Sequence, residues 1–492
     1  MIGRKKELKI LNTLCETKKS SMVAVFGRRR IGKTYLVDYM FRTHRKDCLF
    51  FKFTGSADQN NDVQLDYFIY AIKKWFGKVH TEPITKWHKA FMLLQEAIDE
   101  EIIKRKHTGK IIVFIDEIAW IDRFNKYGFL SALGKFHNDF IEDSDNLITV
   151  LCGSNASWIK EKILKDTKGP LFHRVDKEIA MMPFDLKETK EYLLKEKGYD
   201  IDDKSVIDIY MTVGGVAKYL SYLDEKKSIP QAINELFFEL TSPLYEEYDL
   251  IFKSLFYDKD SSHKNIITAI SNNGSGVTIN ELEKLISNVS GVTLRKHIEE
   301  LVSTGFILPI NRFQNKTRLT KYIIIDNYVL FYNKWLKHLS KNDIATMIDH
   351  YISLKSSNAY ITWGGLAFET TMIANIHLYL KRRGLSAAIK SIGYWDYNSK
   401  DNSEEKGTQI DILVEYNNHV YDIVECKYYN KEFVISKEYN QNLENKKAMF
   451  IKYGISVKQY ELKLIMLTTY GTNHNQYYHN LVSDDINIEE LL

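Results

Sequence analysis

Between Ser20 and Phe41 the chain reads SSMVAVFGRRRIGKTYLVDYMF: an apolar run ending at Gly27, a short loop, and a helical pattern resuming after Lys33. The spacing G-x-x-x-x-G-K-T constrains the fold more than any other feature. Two glycines before a helix N-terminus let backbone N–H groups wrap phosphate oxygens. The pattern dictates strand, loop and helix, and hence an α/β layer. In this reading Gly27, Arg28, Arg29, Arg30, Ile31 and Gly32 form the phosphate loop. Lys33 reaches the β- and γ-phosphates of ATP, Thr34 binds Mg²⁺ through its hydroxyl, and Tyr35 completes the nucleotide-binding stretch.

A nucleotide enzyme needs a second acidic ligand on a neighbouring strand. Ile111 to Glu117, IIVFIDE, is an unbroken apolar run suited to a strand covered on both faces, with two carboxylates at its end. Asp116 is expected to hold Mg²⁺ through water, and Glu117 to orient or deprotonate the attacking water. A third strand, Leu147 to Leu151, runs into Cys152-Gly153-Ser154-Asn155, where Ser154 or Asn155 is either a γ-phosphate sensor or part of an ordinary turn. Arg174, in GPLFHR, is a candidate finger for transferred phosphate charge.

At 492 residues the chain has room for about three domains. Hydrophobic residues at 44% and charged residues at 27% fit globular domains and exclude disorder as the main content. Sixty-eight basic against 64 acidic residues leave a net charge of +4, so any nucleic-acid surface has to be a local patch. Cys15, Cys48, Cys152 and Cys426 show no metal-ligand spacing and fit a reducing cytoplasm. No apolar stretch approaches the roughly 18 residues of a membrane span, so no membrane association is expected.

Several segments together resemble the archaeal-type ATPases, a branch of the AAA+/STAND superfamily. They are Ile2-Gly3-Arg4-Lys-Lys-Glu7-Leu8, GRRRIGKT, IDEIAWID, LCGSNASWI, GPLFHRV with MMPFDLKETKEYL, and Gly214-Gly215-Val-Ala-Lys218-Tyr-Leu, in family order over about 240 residues. The resemblance implies that Gly3 and Arg4 lie near the adenine and that Lys218, on a helical lid, touches the phosphates. Where relatives carry Pro in the lid turn, this chain has Ala217. If Arg174 acts in trans, the family analogy implies a homo-oligomer.

Val277 to Ile307 reads as helix, turn, helix and strand, which suits a winged helix whose second helix enters a DNA major groove. Val292, Leu294, His297, Ile298 and Leu301 are assigned to the core, and Arg295 and Lys296 to the outer face, where Glu299 and Glu300 dilute the positive charge. Lys316, Arg318 and Lys321 are expected on the wing beside DNA phosphates. The alternative is a protein-docking spacer. The family usually carries a winged helix at this place.

Thr408 to Lys427, TQIDILVEYNNHVYDIVECK, alternates into a hairpin about Asn417-Asn418. A turn centred near Asn418 opposes Asp411 to Glu425, Leu413 to Ile423 and Ile412 to Val424. Two facing carboxylates on a mainly apolar sheet call for a cation, and all-oxygen ligands point to Mg²⁺ or Mn²⁺. Glu369 follows Gly364-Gly365 on the core-facing stripe of a helix expected to start there and continue through TTMIANIHLYLKRR. The set Glu369, Asp411, Glu425 and Lys427 resembles the PD-(D/E)xK nuclease core. The resemblance implies that Asp411 and Glu425 are metal ligands, that Glu369 assists through water, and that Lys427 positions the hydrolytic water or stabilises the pentacovalent phosphate. Gln409 lines the same face, and a Gln or Tyr on the following helix, such as Gln441, is a candidate. Ile410 stands where the motif usually has proline.

The expected architecture is α/β throughout: a P-loop AAA+ core with a parallel sheet (1–182), a helical lid (183–245), a winged helix (246–340) and a restriction-endonuclease-like domain (341–492). The expected activity is ATP hydrolysis coupled to metal-dependent DNA cleavage. Two alternatives stand beside it: a STAND-like signalling ATPase with a non-catalytic terminal binding module, and ATP-driven handling of protein clients.

Overall fold

In a computed structural model, which describes residues 1–57, 59–123, 128–256, 260–286, 289–314, 319–347, 349–399 and 405–492, the apolar runs become buried strands. The chain divides into two compact units, Met1–Pro183 and Phe184–Leu492.

The first unit is a parallel sheet flanked by helices. Its strands are β1 (Ser21–Phe26), β2 (Leu49–Thr54), β3 (Ile111–Asp116), β4 (Leu147–Gly153) and β5 (Lys177–Ala180), in spatial order β2-β3-β4-β1-β5. Every residue of β1, β3 and β4 is buried, as expected of strands covered on both faces. β4 lies between the strand that feeds the glycine loop and the strand that ends in the two acids, with Ala24 opposite Leu151 and Phe114 opposite Val150. The helices Asn61–Phe76, Trp87–Arg105 and Phe129–Asp143 bury an aromatic core in which the Trp87 and Phe129 rings lie 4.7 Å apart. Burying each such side chain stabilises the fold by roughly 1.5–3 kcal/mol. Cys15 and Cys48 are nearer than their sequence separation suggests. A hydrogen bond between the two thiols lowers the Cys15 pKa, with Arg45 adding to the effect.

The second unit opens with the helices Leu186–Lys195, Asp203–Val213, Ala217–Ser221 and Ile229–Phe237. Next come the helices Glu247–Phe256, Asp260–Ser271, Ile279–Leu285 and Gly291–Ser303, with an antiparallel sheet of β6 (Val277–Thr278), β7 (Ile307–Ile310) and β8 (Lys321–Ile324) in order β6-β8-β7. Thr278 and Ser290 cap the third and fourth of these helices through their hydroxyls.

Leu294, His297, Ile298 and Leu301 are buried as expected, but Val292 is 82% exposed, because it sits in the first turn on the solvent side. Glu300 turns inward and accepts a 2.7 Å hydrogen bond from the buried His263, so it does not dilute the outer face. Lys321 also departs from expectation. Its ammonium lies 4.3 Å over the Tyr394 ring and 3.8 Å from Asp396, so it covers the neighbouring sheet and is turned away from solvent. Lys316 and Arg318 lie outside the described residues.

The terminal sheet contains β9 (Ile389–Tyr397), β10 (Thr408–Tyr416), β11 (Val420–Lys427), β12 (Glu461–Thr468) and β13 (Asp484–Asn487), in order β13-β12-β11-β10-β9. β9, β10 and β11 are antiparallel, whereas β12 and β13 continue parallel to β11. The crossover from β11 to β12 carries the helix Lys437–Tyr453. The hairpin has the expected register, with Ile412 opposite Val424 and Leu413 opposite Ile423 around a turn at Asn417–His419.

The helix bearing Glu369 starts at Asn358, capped by Ser357, and stops at Ala374; a second helix, Ile376–Arg383, replaces the expected continuation. Asn375 makes the break: its amide donates to the Thr371 carbonyl and accepts from the Leu186 N–H. The side chain thus competes for backbone groups that a continuous helix would use.

Candidate functional site

The first site is built on the glycine loop. Gly27 has φ +149°, and a Cβ there would lie 2.2 Å from the Met181 carbonyl oxygen, so only glycine fits. Arg30 and Gly32 are left-handed, at φ 72° and 92°. Backbones of this kind turn successive N–H groups toward an anion. The buried Lys33 donates from Nζ to the Arg28 carbonyl at 2.8 Å.

Thr34 Oγ1 donates to Asp116 Oδ2 at 2.9 Å, which joins the loop strand to the acidic strand as the two motifs required. Glu117 is left-handed at φ 49°; its N–H donates to Asp116 Oδ1, and its Oε2 accepts from both the N–H and the hydroxyl of Ser154. Ser154 therefore orients Glu117. Asn155 caps the short helix Ala156–Ile159 through Trp158 N–H, which explains it as a turn residue. Burial, first of all, pushes the neighbouring Cys152 thiol well up, and Asp116 adds to the effect.

Arg4, left-handed at φ 57° and buried, donates to the carbonyls of Met182 and Ile31, and so fastens the segment after Gly3 to the phosphate loop. Arg29 and Arg30 are half-buried, Arg28 is buried and Tyr35 is 61% exposed. Arg174 is held by its own unit: Nε donates to the Pro170 carbonyl and Nη1 to Asn138. To act as a finger, the guanidinium has to leave these partners. Lys218, on the helix Ala217–Ser221 of the second unit, is exposed and lies 4.7 Å over the Tyr222 ring.

The second site is a cleft of about 340 Å³ in the second unit. Glu369, Asp411, Glu425, Lys427, Tyr439 and Lys446 are among its lining residues. The helix Asn358–Ala374, the hairpin and the helix Lys437–Tyr453 converge there. A break in the β9–β10 register between Ile410 and Leu413 falls at Asp411, a local irregularity that re-aims the side chain.

Other acids of these strands have their own basic partners. The fully buried Asp422 accepts from Arg383, Tyr379 and Tyr416, and Glu415 accepts from Lys390. Asp411 accepts from the side-chain amide of Gln409, and Glu425 accepts from Tyr439 Oη at 2.8 Å and from the Lys446 ammonium. Burial pushes the Glu369 carboxyl well above its ordinary range, and the facing Asp411 and Glu425 push it further. Lys427 lies 4.4 Å over the Tyr439 ring.

The following helix thus contributes Tyr439, Asn442 and Lys446 on one face, whereas Gln441 is exposed and does not line the cleft. The sequence signal for Asn442 and Lys446, which the motif does not name, is their i+3 and i+7 spacing from Tyr439.

Residues 1–223 match a family described as an ATPase domain predominantly from Archaea. An uncharacterized protein of Methanocaldococcus jannaschii is 25% identical over 340 residues, which are 68% of this chain and 68% of that protein. The solved Walker-type ATPase of Pyrococcus abyssi has the same fold, with a TM-score of 0.51 at 17% identity over 68% of this chain and 96% of that one. The ORC2 protein of Aeropyrum pernix, solved with ADPNP and ADP, gives a TM-score of 0.44 at 13% identity over 72% of this chain and 94% of that one. Residues 1–223 are thus similar to an ATPase domain, and the chain shares the fold of the Walker-type ATPase of Pyrococcus abyssi.

Proposed function

We propose that this protein hydrolyses ATP with Mg²⁺ at the glycine loop and cleaves DNA phosphodiesters with Mg²⁺ or Mn²⁺ at the second cleft. At the loop, Lys33 exchanges the Arg28 carbonyl for β- and γ-phosphate oxygens. Thr34 Oγ1 and Asp116 Oδ2, 2.9 Å apart, are the pair that would hold Mg²⁺. Ser154 fixes the Glu117 carboxylate that orients the attacking water. Lys218 and an Arg174 released from Asn138 would add charge at the γ-phosphate, Arg174 either within one chain or across a homo-oligomer.

One observation carries the nuclease reading: three carboxylates from a helix and two strands line one cleft together with Lys427 and Lys446. The donors fit a hard divalent cation: burial first, and then the facing Asp411 and Glu425, push the Glu369 carboxyl up, and a cation among the three oxygen donors would relieve their crowding. Asp411 and Glu425 would hold it. A cation held there would supply polarisation of a phosphate oxygen and a lowered pKa of its water. Lys427 then faces the phosphate or the hydrolytic water.

The order β6-β8-β7 beside the helices Asp260–Ser271, Ile279–Leu285 and Gly291–Ser303 supports a winged helix. Lys296 is exposed on it, and Arg295, also exposed, pairs with Glu283 at 3.3 Å. The second reading, a non-catalytic binding module, is favoured by one observation: the Lys446 ammonium already neutralises Glu425. Among the described residues no helix is long and apolar enough to cross a membrane.

A metal-titrated DNA cleavage assay run beside an ATPase assay tests both halves. Lys33→Ala is expected to abolish ATP binding. Asp411→Ala and Lys427→Ala are expected to abolish cleavage and leave ATPase activity intact. Failure of the unaltered protein to cut DNA under any metal and nucleotide condition decides for the binding module.

A further inference from the structure

Immediately after Lys427 the chain enters a buried ionic cluster that neither site uses. Asp208, 2% exposed, accepts from Lys204 Nζ at 2.5 Å and Tyr428 Oη at 2.7 Å through one oxygen, and from Lys355 Nζ at 2.6 Å through the other. Lys204 Nζ also donates to Tyr428 Oη at 2.8 Å, so the phenol is held as donor and acceptor at once. Burial lowers the Lys204 pKa, and Asp208 opposes that shift. Gly364 is needed for close approach to the same ring, since a Cβ there would lie 2.8 Å from the Tyr428 ring carbons. A buried ammonium, a half-buried one and a buried carboxylate are costly to assemble merely to anchor a tyrosine. What the cluster fixes is the exit of β11, where Lys427 leaves the ladder beside Thr468.

We propose that Asp208 is a positioning residue for the second cleft: through Tyr428 it fixes the end of β11 and thereby the direction in which Lys427 reaches the reacting phosphate. The inference rests on the nuclease reading for its consequence and on the cluster alone for its geometry. Lys204 and Asp208 lie within the stretch that matches the ATPase family, whereas Lys355 and Tyr428 lie outside it. The group that sets the posture of Lys427 is therefore supplied by a segment related to the ATPase.

The test compares the full chain with Tyr428→Phe, which removes only the hydroxyl, and with Lys355→Gln, which removes the half-exposed arm of the cluster. Amine acetylation followed by mass spectrometry reads the reactivity of Lys427, with the exposed Lys104 as internal reference. In Tyr428→Phe the Lys427 rate is expected to rise about fivefold, as loss of the clamp's hydrogen bonds frees the strand end, while Lys104 is unchanged. Lys355→Gln is expected to give a smaller rise in the same direction. In the cleavage assay kcat of Tyr428→Phe is expected to fall about tenfold with KM for DNA unchanged, as a misplaced catalytic group requires. An unaltered Lys427 rate in variants that melt like the unaltered protein overturns the inference. A wild-type chain that cuts no DNA overturns the nuclease reading instead, and the acetylation rates still decide whether the clamp positions Lys427.

Discussion

The two acidic sites are assembled in opposite ways. At the glycine loop, Asp116 and Glu117 are consecutive, and among the partners described their carboxylates accept from hydroxyls and backbone N–H groups: Thr34, Ser154 and Glu117 N–H. In the cleft, Glu369, Asp411 and Glu425 come from separate elements, and Glu425 is held by an ammonium and a phenol. Neutral donors leave a carboxylate its full charge, ready for a cation. A lysine cancels part of that charge, so a metal at Glu425 has to compete with Lys446. The first site is therefore fixed by backbone and the second by a balance of charges, and the two respond to different perturbations.

The largest expected effect falls on the backbone-built site. Gly27→Ala forces a Cβ against the Met181 carbonyl at a φ that alanine avoids, and is expected to cost about 4 kcal/mol with loss of nucleotide binding. Denaturant melts monitored with ATP check it, and a variant of wild-type stability would break the comparison.

Acid provides the second probe. His137, buried against Thr149 Oγ1 at 2.9 Å, has its pKa lowered to about 4, chiefly by burial. The folded form binds fewer protons than the unfolded form, so the stabilisation is complete above about pH 6.5 and is lost as pH falls toward 4. Unfolding curves at pH 7 and 4.5 are expected to differ by about 2–3 kcal/mol at this group, and His137→Gln is expected to remove that difference.

The smallest effect concerns the charge-balanced site. Lys446→Met is expected to strengthen Mn²⁺ binding at the cleft about tenfold, because the competing ammonium is gone. Calorimetric titration reads it, and weaker binding would make Lys446 a support of the metal site.

What was legible in the sequence follows the same division. The glycine loop, the acidic strand and the hairpin register depend on residues a few positions apart, and period and turn chemistry reveal those. Thr34 meeting Asp116 followed from two motifs that need each other. Asn442 and Lys446 were missed, and the choice between a Gln and a Tyr on their helix stayed open, because that helix buries mostly Asn440, Leu443 and Phe450 and has no marked apolar stripe to orient it. Val292 and Lys321 were misplaced for a related reason: a β-branched residue in a first turn and a lysine beside an aromatic ring have their surroundings set by tertiary packing. The break at Asn375 depends on Leu186, 189 residues away in sequence.

The likeness to ATPase domains extends to residue 223, yet the first compact unit ends at Pro183. Those two borders make different cutting points for recombination. A chimera joined after Leu223 would take Lys204 and Asp208 from one parent and Lys355 and Tyr428 from the other, and would mismatch a buried cluster of opposite charges. Joined at Phe184, the same exchange moves all four together. Swapping cleft-bearing halves between relatives is thus expected to succeed when the crossover follows the compact units, and to fail when it follows the end of sequence similarity.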